Sequence, residues 1–208
     1  MHRKDRASLL HKKEDNMNVF KTVISQELAD QAQACIIGRF FDLPIVVMVE
    51  EPNKLVGIMT NQWLEKTGHT KDWAEAQCLS REYEVQSIAD ALHFLGGMDV
   101  DDDSVDLMVA TNSSLDQTRS FGSFGASILV DEKGLETIRK QAEKEQSDLY
   151  ILPSSVHEVL LLPAYESFEV KELASIVRDV NTTLKKKDVL SGHVFVYRLN
   201  SGKIELAA

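Results

Sequence analysis

Apolar residues in this chain recur every third or fourth position in some stretches and form unbroken runs in others, and the alternation of the two patterns predicts its elements. From Asn18, "NVFKTVISQELADQA" sets Val19, Phe20, Val23, Ile24 and Leu28 on one helical stripe, with Gln26, Glu27 and Asp30 mostly outside it, which predicts a first amphipathic helix. "CIIGRFFDLPIVVMVEE" and "KLVGIMTN" are rich in β-branched and aromatic residues and are separated by Pro52-Asn53, so two or three strands joined by a turn follow. "TNQWLEKTGHTKDWAEAQCL" predicts a short helix ending at Gly68 and a second, capped by Thr70, through Trp73, Ala74 and Leu79. Ser87 can cap a further helix, "IADALHFL", closed by Gly96-Gly97.

The polar run "MDVDDDS" marks the clearest boundary. Beyond it the pattern predicts a strand "VDLMVATN", a loop, a strand "GASILVD", a helix "GLETIRKQAEKEQ", paired strands "DLYILP" and "EVLLLP", and a helix "VKELASIVRDVNTT" with Val170, Leu173, Ile176, Val177 and Val180 on one face. A hairpin, "HVFVYRLN" and "KIELA" around Ser201-Gly202, closes the chain. Repeated strand-strand-helix units with short connections predict an α+β fold, antiparallel or mixed sheets with helices packed on them. The expected organisation is a flexible N-terminal arm over residues 1–17, an N-terminal half over 18–98 and a C-terminal half over 105–208, the halves packed as one domain.

Charge changes this picture. Thirty-three acidic residues oppose 23 basic ones, a formal net charge of −10, and the first sixteen residues are net basic, so the folded remainder is more acidic than the total. A phosphate backbone would be repelled, which disfavours direct nucleic-acid binding. No segment approaches the about 18 to 20 apolar residues of a membrane span, and no apolar signal core follows the basic start, so a cytoplasmic location is expected. There Cys35 and Cys78 should be reduced and buried, and the glycosylation-type triplets at Asn112 and Asn181 have no consequence.

"LPSSVHEV" is the stretch with the most chemistry. Leu149, Ile151 and Leu152 before it and Val159 to Leu162 after it are near-continuous apolar runs, as in strands buried on both faces, and Pro153 and Pro163 punctuate their ends. Ser154 and Ser155 then suit a simple polar turn with His157 at the surface or bonded to a neighbour. The competing reading makes either serine a nucleophile, His157 its base and Glu158 the orienting carboxylate. No G-x-S-x-G elbow accompanies it, and the turn is the reading we adopt.

Other candidates weaken on inspection. Asp99, Asp101 and Asp103 match the first positions of a calcium loop, but Ser104 replaces the turning glycine and Ala110 the bidentate glutamate. The six histidines are scattered, so no metal site is expected. "SFGSFGAS" holds Gly122 and Gly125 without a phosphate-loop lysine, and Phe121 and Phe124 beside Arg119 would make a small interaction surface if exposed. Lys185-Lys186-Lys187 follows a helix end, where positive charge favours the dipole.

"SDLYILPSSVHEVLLLP", "IVRDVNTT" and "DVLSGHVFVYRLNSGKIEL", with "VDLMVATN…FGASILVD" upstream, resemble the C-terminal region of an uncharacterised bacterial family known from Gram-positive gut-type anaerobes and catalogued only as a domain of unknown function. The resemblance covers about residues 105 to 206 and is looser over 42 to 79, and the family's usual N-terminal portion looks shortened. It implies an intracellular α+β protein and brings no catalytic residue to carry over. The expected function is therefore a non-enzymatic, acidic protein-interaction or regulatory module without cofactor, in the extreme an inhibitor, carried by a mobile element, that imitates nucleic-acid charge for a basic protein partner. A small hydrolase built on Ser154 and His157 is the alternative. Long apolar strands also leave edge pairing into a homodimer open.

Overall fold

The computed structural model describes residues 17–50, 56–88, 106–113, 124–153, 155–164 and 169–207. Within them ten strands form two antiparallel sheets, with five α-helices and one 3-10 helix between and around them. The fold is α+β. The tail over residues 1–16, the Pro52-Asn53 turn, the helix expected from Ala89 onward and the Asp99–Asp103 run lie outside the described residues, as do Arg119, Phe121 and Ser154.

The first sheet is built around β3 (Leu43–Glu50). Strand β1 (Asn18–Val23) runs along one side of it, in register from Asn18 opposite Glu50 to Val23 opposite Ile45. On the other side β2 (Ile36–Phe40) faces the first half of β3 and β4 (Val56–Ile58) the second half. Asn18–Val23 was expected to be helical. Its spacing suits a helical stripe, but Thr22, off that stripe, is as buried as Val19, Phe20 and Val23, and a β-branched segment between two layers pairs as a strand instead. The helix begins only at Ser25, whose Oγ accepts from the Leu28 N–H at 3.3 Å and caps α1 (Gln26–Ala32).

Helices α2 (Asn61–Thr67) and α3 (Lys71–Ala76) follow β4, each capped by a threonine hydroxyl, Thr60 or Thr70, that accepts from a tryptophan N–H, Trp63 or Trp73. Gly68 ends α2 in the left-handed region at φ 79°, as a C-cap glycine does. The second helix stops sooner than its pattern implies. Leu79 lies outside it, 58% exposed, with its N–H bound to the Val19 carbonyl. Cys35 is fully buried and Cys78 partly so, and both thiols are free. Burial pushes both up, Cys78 to about 11. At pH 8 the native chain should therefore be alkylated by iodoacetamide at least about a hundredfold more slowly than the urea-unfolded chain, because only the thiolate reacts. Mass-spectrometric labelling kinetics check this, and rapid labelling of Cys78 in the folded state would refute it.

The second sheet has the order β10-β9-β7-β8-β6-β5, namely Lys203–Leu206, Phe195–Arg198, Leu149–Leu152, Val159–Pro163, Met108–Asn112 and Tyr83–Ser87. Strand β5, which precedes the acidic run, thus belongs to the same sheet as the strands that follow it. Strands β7 and β8 sit at its centre, which explains their unbroken apolar runs. Leu149, Ile151, Val159 and Leu161 face the core shared with the first sheet, and Leu152 and Leu162 face α5 (Val170–Thr183). Both β7 and β8 are interior strands, and the outer strands of this sheet, β5 and β10, bear charge. The buried stripe of α5 is Leu173, Ala174 and Val177, whereas Ile176 is 54% exposed. The expected single face through Ile176 and Val180 is rotated toward solvent.

A second correction concerns "GASIL". Gly125–Leu129 is a 3-10 helix and not a strand, and all five residues are buried. Its Gly125 N–H binds the His157 carbonyl at 2.8 Å, and Ser127 Oγ donates back to the Phe124 carbonyl at 2.8 Å. A Cβ at Gly125 would lie 2.5 Å from the His157 carbonyl oxygen and 2.9 Å from that of Ala110. The segment plugs the space between the two sheets, where a tight coil fits and a ladder has no free neighbour. It leads directly to α4 (Glu132–Glu145), whose N-cap Asp131 is buried. Asp131 Oδ1 accepts from Ser80 Oγ at 2.6 Å, Lys133 N–H at 2.9 Å and Gly134 N–H at 3.2 Å, and Oδ2 from Arg81 N–H at 3.2 Å. The Arg81 guanidinium in turn lies 4.3 Å over the Phe20 ring and 3.4 Å from Glu50 Oε2. One carboxylate thus joins the start of α4 to the segment entering β5, and the adjacent arginine fastens that segment to the first sheet.

Candidate functional site

The connection between β7 and β8 is more than a tight turn, because it is bonded to two separate parts of the chain. Ser155 is only 4% exposed and forms an antiparallel bridge with Val189. The Val156 N–H binds the Asp188 carbonyl at 3.0 Å, and the Pro153 carbonyl accepts from the Ser191 N–H at 3.2 Å. On the opposite side the carbonyls of Val156 and His157 accept from Ala126 and Gly125 of the 3-10 helix. Backbone bonds of this kind satisfy buried polar groups and hold the turn rigid.

The side chains follow the same logic. Ser155 Oγ accepts from the N–H of His157 at 3.0 Å, a local serine turn. The His157 ring is held at both nitrogens: Nδ1 accepts from the Phe124 N–H at 3.4 Å, and Nε2 lies 3.5 Å from Asp188 Oδ1. Accepting at Nδ1 places the neutral ring's proton on Nε2, pointing at the carboxylate. The Phe124 ring meets His157 edge-on at 5.3 Å and Phe20 at 5.9 Å. Phe124 is packed and not displayed. Burial pushes the Glu158 carboxyl above its ordinary range, opposed by the neighbouring His157.

A nucleophilic serine needs a ring nitrogen aimed at its oxygen and a carboxylate on the other nitrogen. Here Asp188 stands at Nε2 and a backbone N–H at Nδ1, and the Ser155 oxygen serves the backbone. The arrangement is a clasp that locks the hairpin to the 3-10 helix and to the loop after α5. Among the described residues no three His, Cys, Asp or Glu side chains gather as metal ligands would.

Two hollows flank this framework. One, of about 400 Å3, opens beside the clasp between α1, β3, β4 and the 3-10 helix; Ile24, Leu28, Met48, Ile58 and Val156 line it, with His157, Lys187 and Asp188 at its polar end. The other is an open groove of about 550 Å3 between the end of α1 and the start of α2, lined by Asp30, Gln33, Asn61, Gln62 and Glu65 over Ala29, Ala34 and Ile36. A family model described as "Family of unknown function (DUF5688)" matches residues 10–199. The chain belongs to that family. No curated protein and no solved structure matches it. The family match extends well beyond the C-terminal stretch on which the resemblance was strongest, taking in both hollows and every strand of this DUF5688 chain described above except β10.

Of the residues singled out by sequence, the structure brings Phe124, Ser155, His157 and Glu158 together. It adds Asp188, which stands some thirty residues from His157 with no local spacing to betray it, and Lys187, whose run was read only as charge at a helix end. The stack of Trp63, His69 and Trp73, with His69 and Trp73 only 3.6 Å apart and nearly parallel, was likewise invisible. It depends on how two short helices meet. Asp131 did have a signal: an aspartate directly before a helical pattern is a preferred N-cap. Among the described residues no helix is long and apolar enough to cross a membrane.

Proposed function

We propose that this chain is a non-enzymatic interaction module for a protein partner that presents basic side chains. The observation behind this reading is the open groove between α1 and α2. Its charged lining residues are Asp30 and Glu65, with three side-chain amides around them and no cation among the described lining residues. Gln26 Nε2 donates to Asp30 Oδ1 at 2.8 Å and steadies one carboxylate without neutralising it. On a chain of net charge −10 such a groove concentrates negative potential, which steers and orients a lysine- or arginine-bearing segment. The use of Ser155 and His157 in a backbone clasp supports a binding role over a hydrolytic one.

The test uses a lysine- and arginine-rich peptide as probe, titrated calorimetrically at low and at physiological salt. Neutralising the groove with D30N and E65Q together should weaken binding about three- to tenfold, since exposed ion pairs contribute roughly 0.2–1 kcal/mol each. The doubly neutralised control E75Q with E84Q, on exposed carboxylates outside the groove, should change it little. Equal losses in the two double variants would mean only diffuse attraction to an acidic surface and would end the proposal of a defined site.

A further inference from the structure

We propose that the hollow beside the clasp is a binding site for a small amphipathic carboxylate, an acyl chain ending in a carboxyl group. Its volume of about 400 Å3 falls within the range of small-molecule sites, and its described walls are mostly apolar, with Ile24, Met48 and Val156 buried. A hydrocarbon chain placed there leaves water for a surface that already lacks polar partners.

The polar groups are confined to one end, and their existing bonds decide which head group they take. Asp188 accepts from the Nε2–H of His157 and keeps its charge, and His157 Nδ1 accepts from the Phe124 N–H, so neither ring nitrogen is open to a ligand. Lys186 reaches across to Glu27 of α1, 2.6 Å away, and so ties the loop after α5 to the helix on the other side of the hollow. Lys187 lies in the lining, exposed, and forms no ion pair with a described residue. Its ammonium is the cation at this end that no described carboxylate engages, with three donors and no acceptor, which suits a carboxylate even beside the charge of Asp188. The lysine run after α5 thus divides its work: Lys186 closes the frame and Lys187 faces the ligand.

Three decyl compounds that differ only in head group separate the contributions. In calorimetric titration of the full chain, decanoate should bind most tightly and decanol more weakly. Decylamine, which the free ammonium repels, should bind most weakly. K187Q should reduce decanoate affinity roughly fivefold, to the level of decanol, and leave decanol unchanged, as expected for one exposed ion pair. A32F, which enlarges a half-exposed residue on the wall formed by α1, should abolish binding of all three while thermal unfolding shows the chain still folded. Equal affinity for all three compounds, or a preference for decylamine, would overturn the assignment to Lys187. Absence of decanoate binding, or binding undisturbed in folded A32F, would overturn the site itself. Because D30N with E65Q leaves this hollow intact, that variant should bind decanoate normally, so failure here and failure of the basic-partner reading are separate results.

Discussion

Replacing Gly134 by alanine should destabilise the protein by about 3 kcal/mol, although the same change inside an ordinary helix stabilises by up to about 1 kcal/mol. The sign is reversed by packing. Gly134 lies buried in the first turn of α4, where that helix crosses the 3-10 helix, and a Cβ there would stand 2.5 Å from the Ile128 carbonyl oxygen, 2.6 Å from its Cα and 2.9 Å from its carbonyl carbon. All three are backbone atoms, so no rotamer change relieves the clash. The helix must retreat from the plug that separates the two sheets, opening contacts around Ile128 and Ile138, both fully buried. In a chain of this size the loss corresponds to a drop in Tm of roughly 6 to 12 °C. Gly57→Ala is the internal control: a Cβ there meets nothing within 4 Å, and alanine in β4 should be neutral or slightly stabilising. Urea denaturation of both variants measures the difference, and a Gly134→Ala midpoint at or above that of the parent would contradict the packing described here.

Asp131→Ala should cost a similar amount, about 3 kcal/mol, because four donors lose one acceptor together. A lost N-cap alone costs about 1 kcal/mol, and the buried Arg81 N–H and the Ser80 hydroxyl are left unpaired in addition. Asp131→Ser separates the two contributions. Its hydroxyl can still cap α4 through Lys133 or Gly134 but lacks the second oxygen that reaches Arg81, so it should recover only about 1 kcal/mol. If serine restored full stability, Asp131 would be a cap and nothing more. If alanine cost less than about 0.5 kcal/mol, the link between α4 and the segment entering β5 would not be stabilising at all.

The elements of the C-terminal half were largely legible in the chain. The stripe of α4, and in the N-terminal half the Thr70 cap of α3, depend on residues three and four apart. The apolar runs of β7 and β8 and the glycine turn before β10 depend on nearest neighbours, and local spacing reports all of them. Asn18–Val23 and Gly125–Leu129 were misjudged for a shared reason. Each is a short and largely buried segment, and where little of a segment meets water the hydrophobic pattern carries no reliable period to read. Whether such a segment extends or coils is decided by the space its neighbours leave.

The candidate site divides the same way. Sequence located the Ser155–His157 turn between two buried strands. It could not reveal that both ring nitrogens were already held, since Phe124 and Asp188 stand roughly thirty residues away on either side.

By itself, then, the sequence determined the acidic balance, the α+β class, the free thiols and the central hairpin, all of which follow from composition and from contacts between near neighbours in the chain. Only the tertiary structure decided that the histidine is a clasp, that a glycine cannot become alanine, and that one groove carries carboxylates while another hollow is mostly apolar with Lys187 in its described lining. Those properties belong to the spaces left between elements, and their shape is fixed by segments packed together from distant parts of the chain.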